Sequence, residues 1–450
     1  MKIQRINQFQ PQIPFYFLEN NFDQFKLRFL QSDLGKIYKA IPWNKLVKSF
    51  KLRDARKGPK SFFSPKGKIA LMFLKHYAGV SDRKLIEHLN GNIEWQFFCD
   101  IYLQDNRLEN YKIVSEIRSE LAAKLDIDKL QQTLMYYWTN HIQNKAHITI
   151  DATCYESEVR YPTNQKLLWE SVDWVYHQSR LIHKHLKIKH PRTKYTKWKS
   201  RYISYSKMRK KTKKKRVPLT RALLHLLNKL NGILDDVEKN FQLEMPAKYY
   251  KRRATIKKIY NQQYQLFTTG TLPKDRIVSI SKNYLRPIVR GKEIKPVEFG
   301  AKVNKIQIDG INFIEHISFN NFNEGTRLIN TVYYVQSLTK TKTKVLGADG
   351  IYATNKNRNF ITKNQIQTDF KPKGKQGKHY KQKKKFRNII TKERASRLEG
   401  SFGKEKEHYH LKKVKAKTSK TEILWIFFGI HTANALEIGR RMSKKLQQVA

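Results

Sequence analysis

Cysteine is scarce in this sequence, and so are long apolar runs. Two cysteines, Cys99 and Cys154, occur among 450 residues, which argues for a reducing compartment and against a disulfide framework or a cysteine-based zinc site. The most apolar stretch, residues 423–430, is far shorter than the roughly 20 residues that a membrane-spanning helix needs. Residues 1–5 also lack the apolar core of a signal peptide. We therefore expect a cytoplasmic protein.

Acidic residues are scarce relative to basic ones. Lysine and arginine number 91 against 37 aspartates and glutamates, which gives a formal charge of +54. This exceeds what solubility requires and predicts a polyanionic partner, with nucleic acid as the leading candidate and an anionic membrane surface as the rival. Aromatic residues make up 12% of the chain, so we expect a well-cored globular protein rather than a disordered basic tail.

Helical periodicity dominates residues 64–143. One helix should end near Gly79, and Ser81 or Asp82 could cap a second. Two short helices joined by a turn fit a helix-turn-helix-like module or an ordinary helical hairpin, and the spacing does not choose between them.

A basic tract between residues 184 and 216 is interleaved with aromatic residues. It precedes a strong helical pattern of apolar residues between positions 219 and 234. We predict a helical, basic insertion at about 165–275, whose lysines neutralise phosphates and whose aromatic residues either stack on bases or simply pack. The candidate DNA-binding residues of this tract are Lys210, Lys211, Lys213, Lys214 and Arg216.

Alternating apolar residues, which are typical of strands, follow the insertion. Residues 277–280 are expected to form one short strand, and residues 299–308 and 311–319 a hairpin. Asp309 and Gly310 lie between the last two strands and form a strong hairpin-turn signal. Asp309 is therefore interpreted as a turn residue rather than a catalytic one.

Three carboxylates stand out along the chain. Asp151 interrupts the apolar, β-branched stretch 147–153, and a carboxylate on a core strand is costly unless a metal or another cation pairs with it. Asp349 ends the apolar run 345–348, and Glu399 lies in a basic neighbourhood. The last two also have structural explanations, because Asp349 fits a plain turn and Glu399 an exposed helix charge.

Acids on two strands and on a following helix fit a ribonuclease H-like α/β fold, a mixed sheet flanked by helices. In that architecture three carboxylates converge on a pair of divalent cations that clamp a scissile phosphate. Oxygen ligands select hard cations, so we expect two Mg²⁺ or Mn²⁺ ions. We assign an N-terminal extension to residues 1–57, a helical, candidate DNA-binding domain to 58–143 and the catalytic domain, with its insertion, to 144–450.

Three short blocks, taken in order, resemble the DDE-type bacterial insertion-sequence transposases. The blocks are Ile-Asp-Ala-Thr at 150–153, Leu-Gly-Ala-Asp-Gly-Ile-Tyr at 346–352 and Arg-Leu-Glu-Gly-Ser-Phe-Gly at 397–403. The helical segment at 64–104 resembles the N-terminal domain of that family. The resemblance implies that Asp151, Asp349 and Glu399 form a catalytic, metal-binding triad.

The resemblance also implies DNA contacts near the triad. Lys406 matches a basic residue that lies one helical face beyond the glutamate. In the family's Tyr–Arg–Glu–Lys signature the arginine stands four residues before the glutamate, whereas here that position is Ala395 and Arg394 lies one step away. Arg394, Arg397 and Lys406 are the resulting candidate DNA-binding residues. Glu393 and Glu405 are local competitors of Glu399.

The function implied is DNA transposition. The protein would bind the terminal inverted repeats of its element, cleave the DNA and join the released 3′-OH to target DNA, as a homo-oligomer in a synaptic complex associated with the bacterial nucleoid. Two alternatives remain open. One is a ribonuclease H-like nuclease or resolvase, and the other is a catalytically silent, transposase-derived DNA-binding protein.

Overall fold

The computed structural model describes residues 16–54, 61–289, 296–374 and 379–449. The chain divides into two compact units. Unit 1 comprises residues 1–158, 301–318 and 322–450, and unit 2 comprises residues 159–300 and 319–321.

Helices form most of the described structure, and strands and loops make up the remainder. In chain order the α-helices are α1 (Tyr16–Gln31), α2 (Asp33–Ala40), α3 (Trp43–Ser49), α4 (Pro65–Ala78), α5 (Asp82–Gly91), α6 (Ile93–Cys99), α7 (Lys112–Ala123), α8 (Ile127–Trp138), α9 (Asn164–His185), α10 (Tyr195–Lys207), α11 (Lys213–Asn240), α12 (Ala247–Thr269), α13 (Leu328–Thr339), α14 (Asn355–Lys363), α15 (Tyr380–Glu393), α16 (Gly400–His408) and α17 (Ser419–Val449). The strands are β1 (His147–Glu156), β2 (Pro287–Val289), β3 (Val297–Ile308), β4 (Ile311–Ser318), β5 (Val345–Ala348) and β6 (Gln367–Thr368). A π-helical segment, Arg394–Glu399, joins α15 to α16.

The pair of helices predicted in the N-terminal region is confirmed. Gly79 ends α4 in the left-handed conformation, with a φ of 65°. Ser81 Oγ accepts a hydrogen bond from the backbone N–H of Lys84 at 3.2 Å and so caps α5. Asp82, the other predicted cap, instead accepts a hydrogen bond from Arg118 Nη2 at 2.8 Å, which ties α5 to α7.

The strands of unit 1 form a mixed sheet, which confirms the predicted α/β class. Strand β1 lies between β3 and β5 in the sheet, β4 pairs with β3, and β6 pairs with β5. The pairs β1–β5 and β5–β6 are parallel, whereas β3 and β4 form an antiparallel hairpin. Asp309 and Gly310 make its turn with φ values of 48° and 80°, so the predicted hairpin and the turn role of Asp309 are confirmed.

The terminal helix α17 closes the core of unit 1. It contacts α2, α4, α7 and β4, and its apolar side chains, such as Leu424, Phe427 and Ile430, are buried. Burial of such a stretch against several elements is the main source of helix stability in a globular protein. Across the described ranges, no helix combines the length and the apolar character that a membrane span requires.

Unit 2 contains helices α9–α12, and in it β2 pairs with the first residues of β3. The apolar residues of α11, including Leu223, Leu227 and Leu230, are buried in one cluster with residues of α9. The strand expected at 277–280 is wrong, because these residues form an irregular segment. Ile277 is buried by packing on other apolar side chains of the unit rather than by strand pairing, and alternation cannot distinguish the two cases.

Candidate active site

Strands β1 and β5 bring two of the candidate acids to the same end of the sheet. Their parallel register places Ile150 opposite Ala348, and the residues that follow these two are Asp151 and Asp349. Adjacent strands lie about 4.8 Å apart, so the two aspartates are neighbours. Asp349 is exposed, and its Oδ1 accepts a hydrogen bond from the N–H of Gly350 at 2.6 Å where the strand turns away.

Asp151 is the more buried of these two acids. Its side chain keeps 19% of its exposure, and burial raises the pKa of Asp151 to about 6. The hydrogen bond that its Oδ1 accepts from the N–H of Ala152, at 2.7 Å, lowers the pKa, as does the charge of Arg394, whereas the charges of Glu324 and Asp349 raise it further. Burial on the strand therefore favours the neutral, protonated form of the Asp151 carboxyl group.

Glu399 is the last residue of the π-helical segment. Arg394 and Glu399 are five residues apart, and the wide π turn, which bonds residues i and i+5, brings such a pair to the same side of a helix. Arg394 Nη1 accordingly donates a hydrogen bond to Glu399 Oε1 at 3.1 Å. The backbone thus compensates for the displacement of the arginine by one step from the position of the family signature.

Arg394 lies at the centre of the acidic cluster. Besides its bond to Glu399, its Nη1 is 4.0 Å from Asp151 Oδ2 and its Nε is 3.8 Å from Asp369 Oδ2. Only 13% of its side chain is exposed, so these attractions act in a partly desolvated environment. The candidate acids of β1 and the π-helix are therefore gathered around a cation that belongs to the protein.

Asp369 and Glu324 are neighbours of the site that the sequence analysis missed. Asp369 follows β6 as Asp349 follows β5, and this shared position after a strand is the signal that could have found it. Its Oδ1 accepts a hydrogen bond from the N–H of Ala348 at 3.0 Å, and burial raises the pKa of Asp369. Glu324, whose charge acts on Asp151, pairs with Lys302 Nζ at 2.8 Å.

The two competitors of Glu399 have other partners. Glu405 is buried, and one of its oxygens lies 2.8 Å from Lys305 Nζ. Glu393 is about half exposed and lies 3.1 Å from Arg397 Nη1. Glu399, by contrast, shares Arg394 with Asp151, which favours it as the third acid of the cluster.

The three basic candidates around Glu399 separate into two places. Arg394 contacts the acids directly, and Lys406 Nζ donates a hydrogen bond to Thr153 Oγ1 at 3.1 Å, two residues beyond Asp151 on β1. Arg397 Nη1 instead lies 3.7 Å from Asp309 Oδ1 at the hairpin turn. The structure therefore places Lys406 against β1, the strand that carries Asp151, and Arg397 against the hairpin turn.

In the basic tract of unit 2, the cations and the aromatic residues have different environments. All five basic candidates are exposed, namely Lys210, Lys211, Lys213, Lys214 and Arg216. Tyr195 and Tyr205 are buried, and the rings of Trp169 and Tyr202 stack with centroids 5.1 Å apart. Stacking on bases and packing were both open for the aromatic residues, and these side chains pack within the unit. The basic candidates lie on its surface.

The donor chemistry of the acids suits a hard divalent cation, because Mg²⁺ and Mn²⁺ prefer carboxylate oxygens. Within the part of the chain that the structure describes, however, no group of three or more histidine, cysteine, aspartate or glutamate side chains is arranged to hold a metal ion. The guanidinium of Arg394 lies within 4.0 Å of carboxylate oxygens of Asp151, Asp369 and Glu399 and offsets part of their negative charge. The acids fit such a cation by the chemistry of their oxygen donors.

Two family models match the chain, and both describe transposases. The model described as Transposase DDE domain matches residues 346–430, and the model described as Transposase domain (DUF772) matches residues 23–120. Together they support a DDE-type insertion-sequence transposase, which confirms the resemblance seen in the sequence. The first match includes Asp349 and Glu399, whereas Asp151 lies outside both. No curated protein and no solved structure matches the chain significantly.

Proposed function

We propose that this transposase binds the terminal inverted repeats of an insertion sequence and catalyses metal-dependent DNA cleavage and strand transfer. The observation that carries the proposal is the placement of Asp151 beside Asp349 on parallel strands, with Glu399 linked to Asp151 through Arg394. The sheet order supports a ribonuclease H-like catalytic domain within residues 144–450, because a hairpin, β3–β4, lies on one side of β1 and two parallel strands, β5 and β6, lie on the other.

Asp151, Asp349 and Glu399 are the proposed ligands of two Mg²⁺ or Mn²⁺ ions. When bound, such ions supply the Lewis acidity that phosphodiester hydrolysis and transesterification need. Asp369 supports the backbone that carries Asp349, since it accepts the hydrogen bond from Ala348. Arg394 contacts Asp151 and Glu399, so its guanidinium would compete with a bound cation for their carboxylate oxygens.

The DNA would contact both units. Arg394 contacts the acids, and Lys406 contacts the strand that carries Asp151. Both would bind phosphates close to the scissile bond, and the exposed lysines of unit 2 would neutralise other phosphates. The exposed face of α5 carries Arg83 and Lys84, which makes the α4–α5 pair our candidate for recognition of the inverted repeats. Two element ends must meet, so we expect a homo-oligomeric synaptic complex.

A plasmid that carries the coding region with its native flanking DNA provides the substrate for a direct test. Purified full-length protein with Mg²⁺ or Mn²⁺ is expected to release the element and to join its 3′-OH ends to a target plasmid. Cleavage without joining, also with pre-cleaved ends, would instead indicate the nuclease or resolvase. Inverted repeats that bracket the coding region, with short target duplications outside them, would support transposition independently of this assay.

One observation favours a second candidate, a transposase-derived protein that binds DNA without cutting it. The guanidinium of Arg394 lies within 4.0 Å of carboxylate oxygens of Asp151 and Glu399, which supports a site that is occupied by a cation of the protein itself. Electron paramagnetic resonance of Mn²⁺, with and without the flanking DNA, separates the two candidates. A catalytic protein should bind Mn²⁺ and lose this binding in Asp151→Ala, whereas a silent protein should bind none in either case.

A further inference from the structure

A buried ion pair lies close to the candidate site and has no part in the chemistry proposed above. Lys305 Nζ, on β3, is 2.8 and 2.9 Å from the two carboxylate oxygens of Glu405, on α16. The two side chains are 0% and 1% exposed. The charges of Asp151 and Lys406 both act on Lys305, which places the pair within electrostatic reach of the candidate site.

Further hydrogen bonds tie this pair to several elements of unit 1. Glu405 also accepts hydrogen bonds from the hydroxyl of Tyr155 on β1 and from Asn312 Nδ2 on β4, the second at 3.0 Å. Lys305 Nζ donates to Ser401 Oγ at 2.9 Å, and Ser401 Oγ donates to the carbonyl of Leu398 at 2.6 Å. The network therefore connects three strands to the helical turn that contains Glu399.

Stability alone does not explain such a pair. Removal of two charges from water costs several kcal/mol per ion, and apolar replacements of buried ion pairs are often neutral or stabilising. The pair instead fixes the orientation of α16, because its hydrogen bonds are satisfied at only one rotation of the helix about its axis. A Cβ added at Gly400 or Gly403 would meet no atom within 4 Å. These positions therefore provide no close packing that could fix the rotation of the helix.

We propose that Lys305 and Glu405 are positioning residues whose ion pair sets the rotation of α16 and thereby directs Glu399 and Lys406 toward Asp151 and Asp349. Glu405 and Lys406 are consecutive on α16, and they contact β1 through Tyr155 and Thr153. A helix held by the first residue presents the second to the strand that carries Asp151. This inference rests on the proposed function of Glu399.

The double variant Lys305→Met/Glu405→Leu tests the proposal, because it removes both charges and leaves side chains of similar length. Its melting temperature should fall somewhat below that of the wild type, because the buried donors of Tyr155 and Asn312 lose their acceptor, and its affinity for the flanking DNA should be unchanged. Mn²⁺ affinity should fall about 10- to 100-fold, as is typical when residues that orient metal ligands are replaced. The rate of element excision at saturating DNA should fall by a similar factor, since small displacements of reacting groups are costly.

Two further variants control this experiment. Lys305→Met alone leaves Glu405 buried without its cation, so it should melt at a lower temperature than the double variant. Lys412→Met/Glu407→Leu removes a matched lysine–glutamate pair, 2.9 Å apart and exposed, and should leave Mn²⁺ affinity and excision unchanged. A folded double variant of Lys305 and Glu405 with wild-type Mn²⁺ affinity and excision rate would overturn the proposal.

If that double variant does not fold, Ser401→Ala provides the decision. It deletes one hydroxyl that links Lys305 to Leu398, so excision should fall while melting changes little, and an unchanged rate would overturn the proposal. The wild type separates this inference from the function on which it rests. A wild type without Mn²⁺ binding or excision contradicts the proposed function, whereas an active wild type with an equally active folded variant contradicts the positioning role alone.

Discussion

The two units of this protein use charge in opposite ways. In unit 1 a few acids are each bonded to defined groups, and Asp151, Asp369 and Glu399 share one arginine, Arg394. In unit 2 the candidate cations follow one another along an exposed stretch between residues 210 and 216. Catalysis depends on groups held in fixed positions, whereas phosphate neutralisation accepts many interchangeable cations. Changes in unit 1 should therefore alter the rate of the reaction, and changes in unit 2 the affinity for DNA.

Replacement of Asp151 by asparagine should have the largest effect. The change keeps the shape of the side chain and removes its negative charge, so we expect strand transfer to fall by roughly 10³-fold, more than the 10- to 100-fold that residues supporting a metal ligand usually contribute. DNA affinity, measured by fluorescence anisotropy, should stay near the wild-type value. Asp105→Asn, at an exposed position, is the matched control. Full activity in Asp151→Asn would remove this residue from the site.

Glutamine at the five basic positions of unit 2 should give the reverse pattern. If all five side chains contact phosphates, the slope of log affinity against log salt should become shallower by up to about 4.5, because each contact contributes about 0.9. The maximal rate at saturating DNA should change little. The same positions replaced by the other basic residue provide the control. The positions are Lys210, Lys211, Lys213, Lys214 and Arg216. A large loss of rate at saturation would show that the two units do not divide the work in this way.

Arg394→Gln should have an intermediate effect on stability. Without metal or DNA the variant leaves Asp151 and Glu399 without their shared cation, which should cost about 1–3 kcal/mol of unfolding free energy. Mn²⁺ should then raise its melting temperature more than it raises that of the wild type, because the metal no longer displaces a guanidinium. Arg397→Gln, which removes the contact to Asp309, is the control. Equal Mn²⁺ responses would mean that arginine and metal do not compete.

The remaining prediction concerns the acid stability of unit 1. Burial lowers the pKa of His76 and of His431 to about 3, so both stay neutral in the fold and take up a proton on unfolding below their ordinary pKa of about 6.5. Since the unfolded chain then binds more protons, stability should fall as the pH drops below about 6.5, by about 1.4 kcal/mol per pH unit for each histidine.

Urea denaturation between pH 7 and pH 5, followed by hydrogen exchange of peptides from each unit, measures this slope. In His431→Gln, the change of unfolding free energy with pH in unit 1 should become smaller by the contribution of one titrating histidine. An unchanged slope in that variant would show that His431 is not the group that titrates. Peptides around α4 should keep the share of His76, which lies in that helix.

Local patterns accounted for much of the fold and for part of the site. The turn at Asp309, the end of α4 at Gly79 and the strand before Asp349 depend on turn chemistry, backbone freedom and short-range periodicity, all of which act between near neighbours in the chain. Asp151 was noticeable for the same reason, since a carboxylate in an apolar stretch conflicts with its neighbours. The same reasoning failed at residues 277–280, where apolar side chains are buried in an irregular segment.

The remaining features depend on contacts between distant parts of the chain. Arg394 reaches Glu399 because the helix widens into a π turn, and Asp369 reaches both Arg394 and the N–H of Ala348 because β6 pairs with β5. Composition and local pattern were enough to indicate a DNA partner and the candidate acids, because the net charge and an isolated carboxylate are visible in the linear sequence. The different environments of Glu399 and Glu405 depend on the tertiary structure, because helical spacing does not reveal which glutamate meets a lysine from a strand.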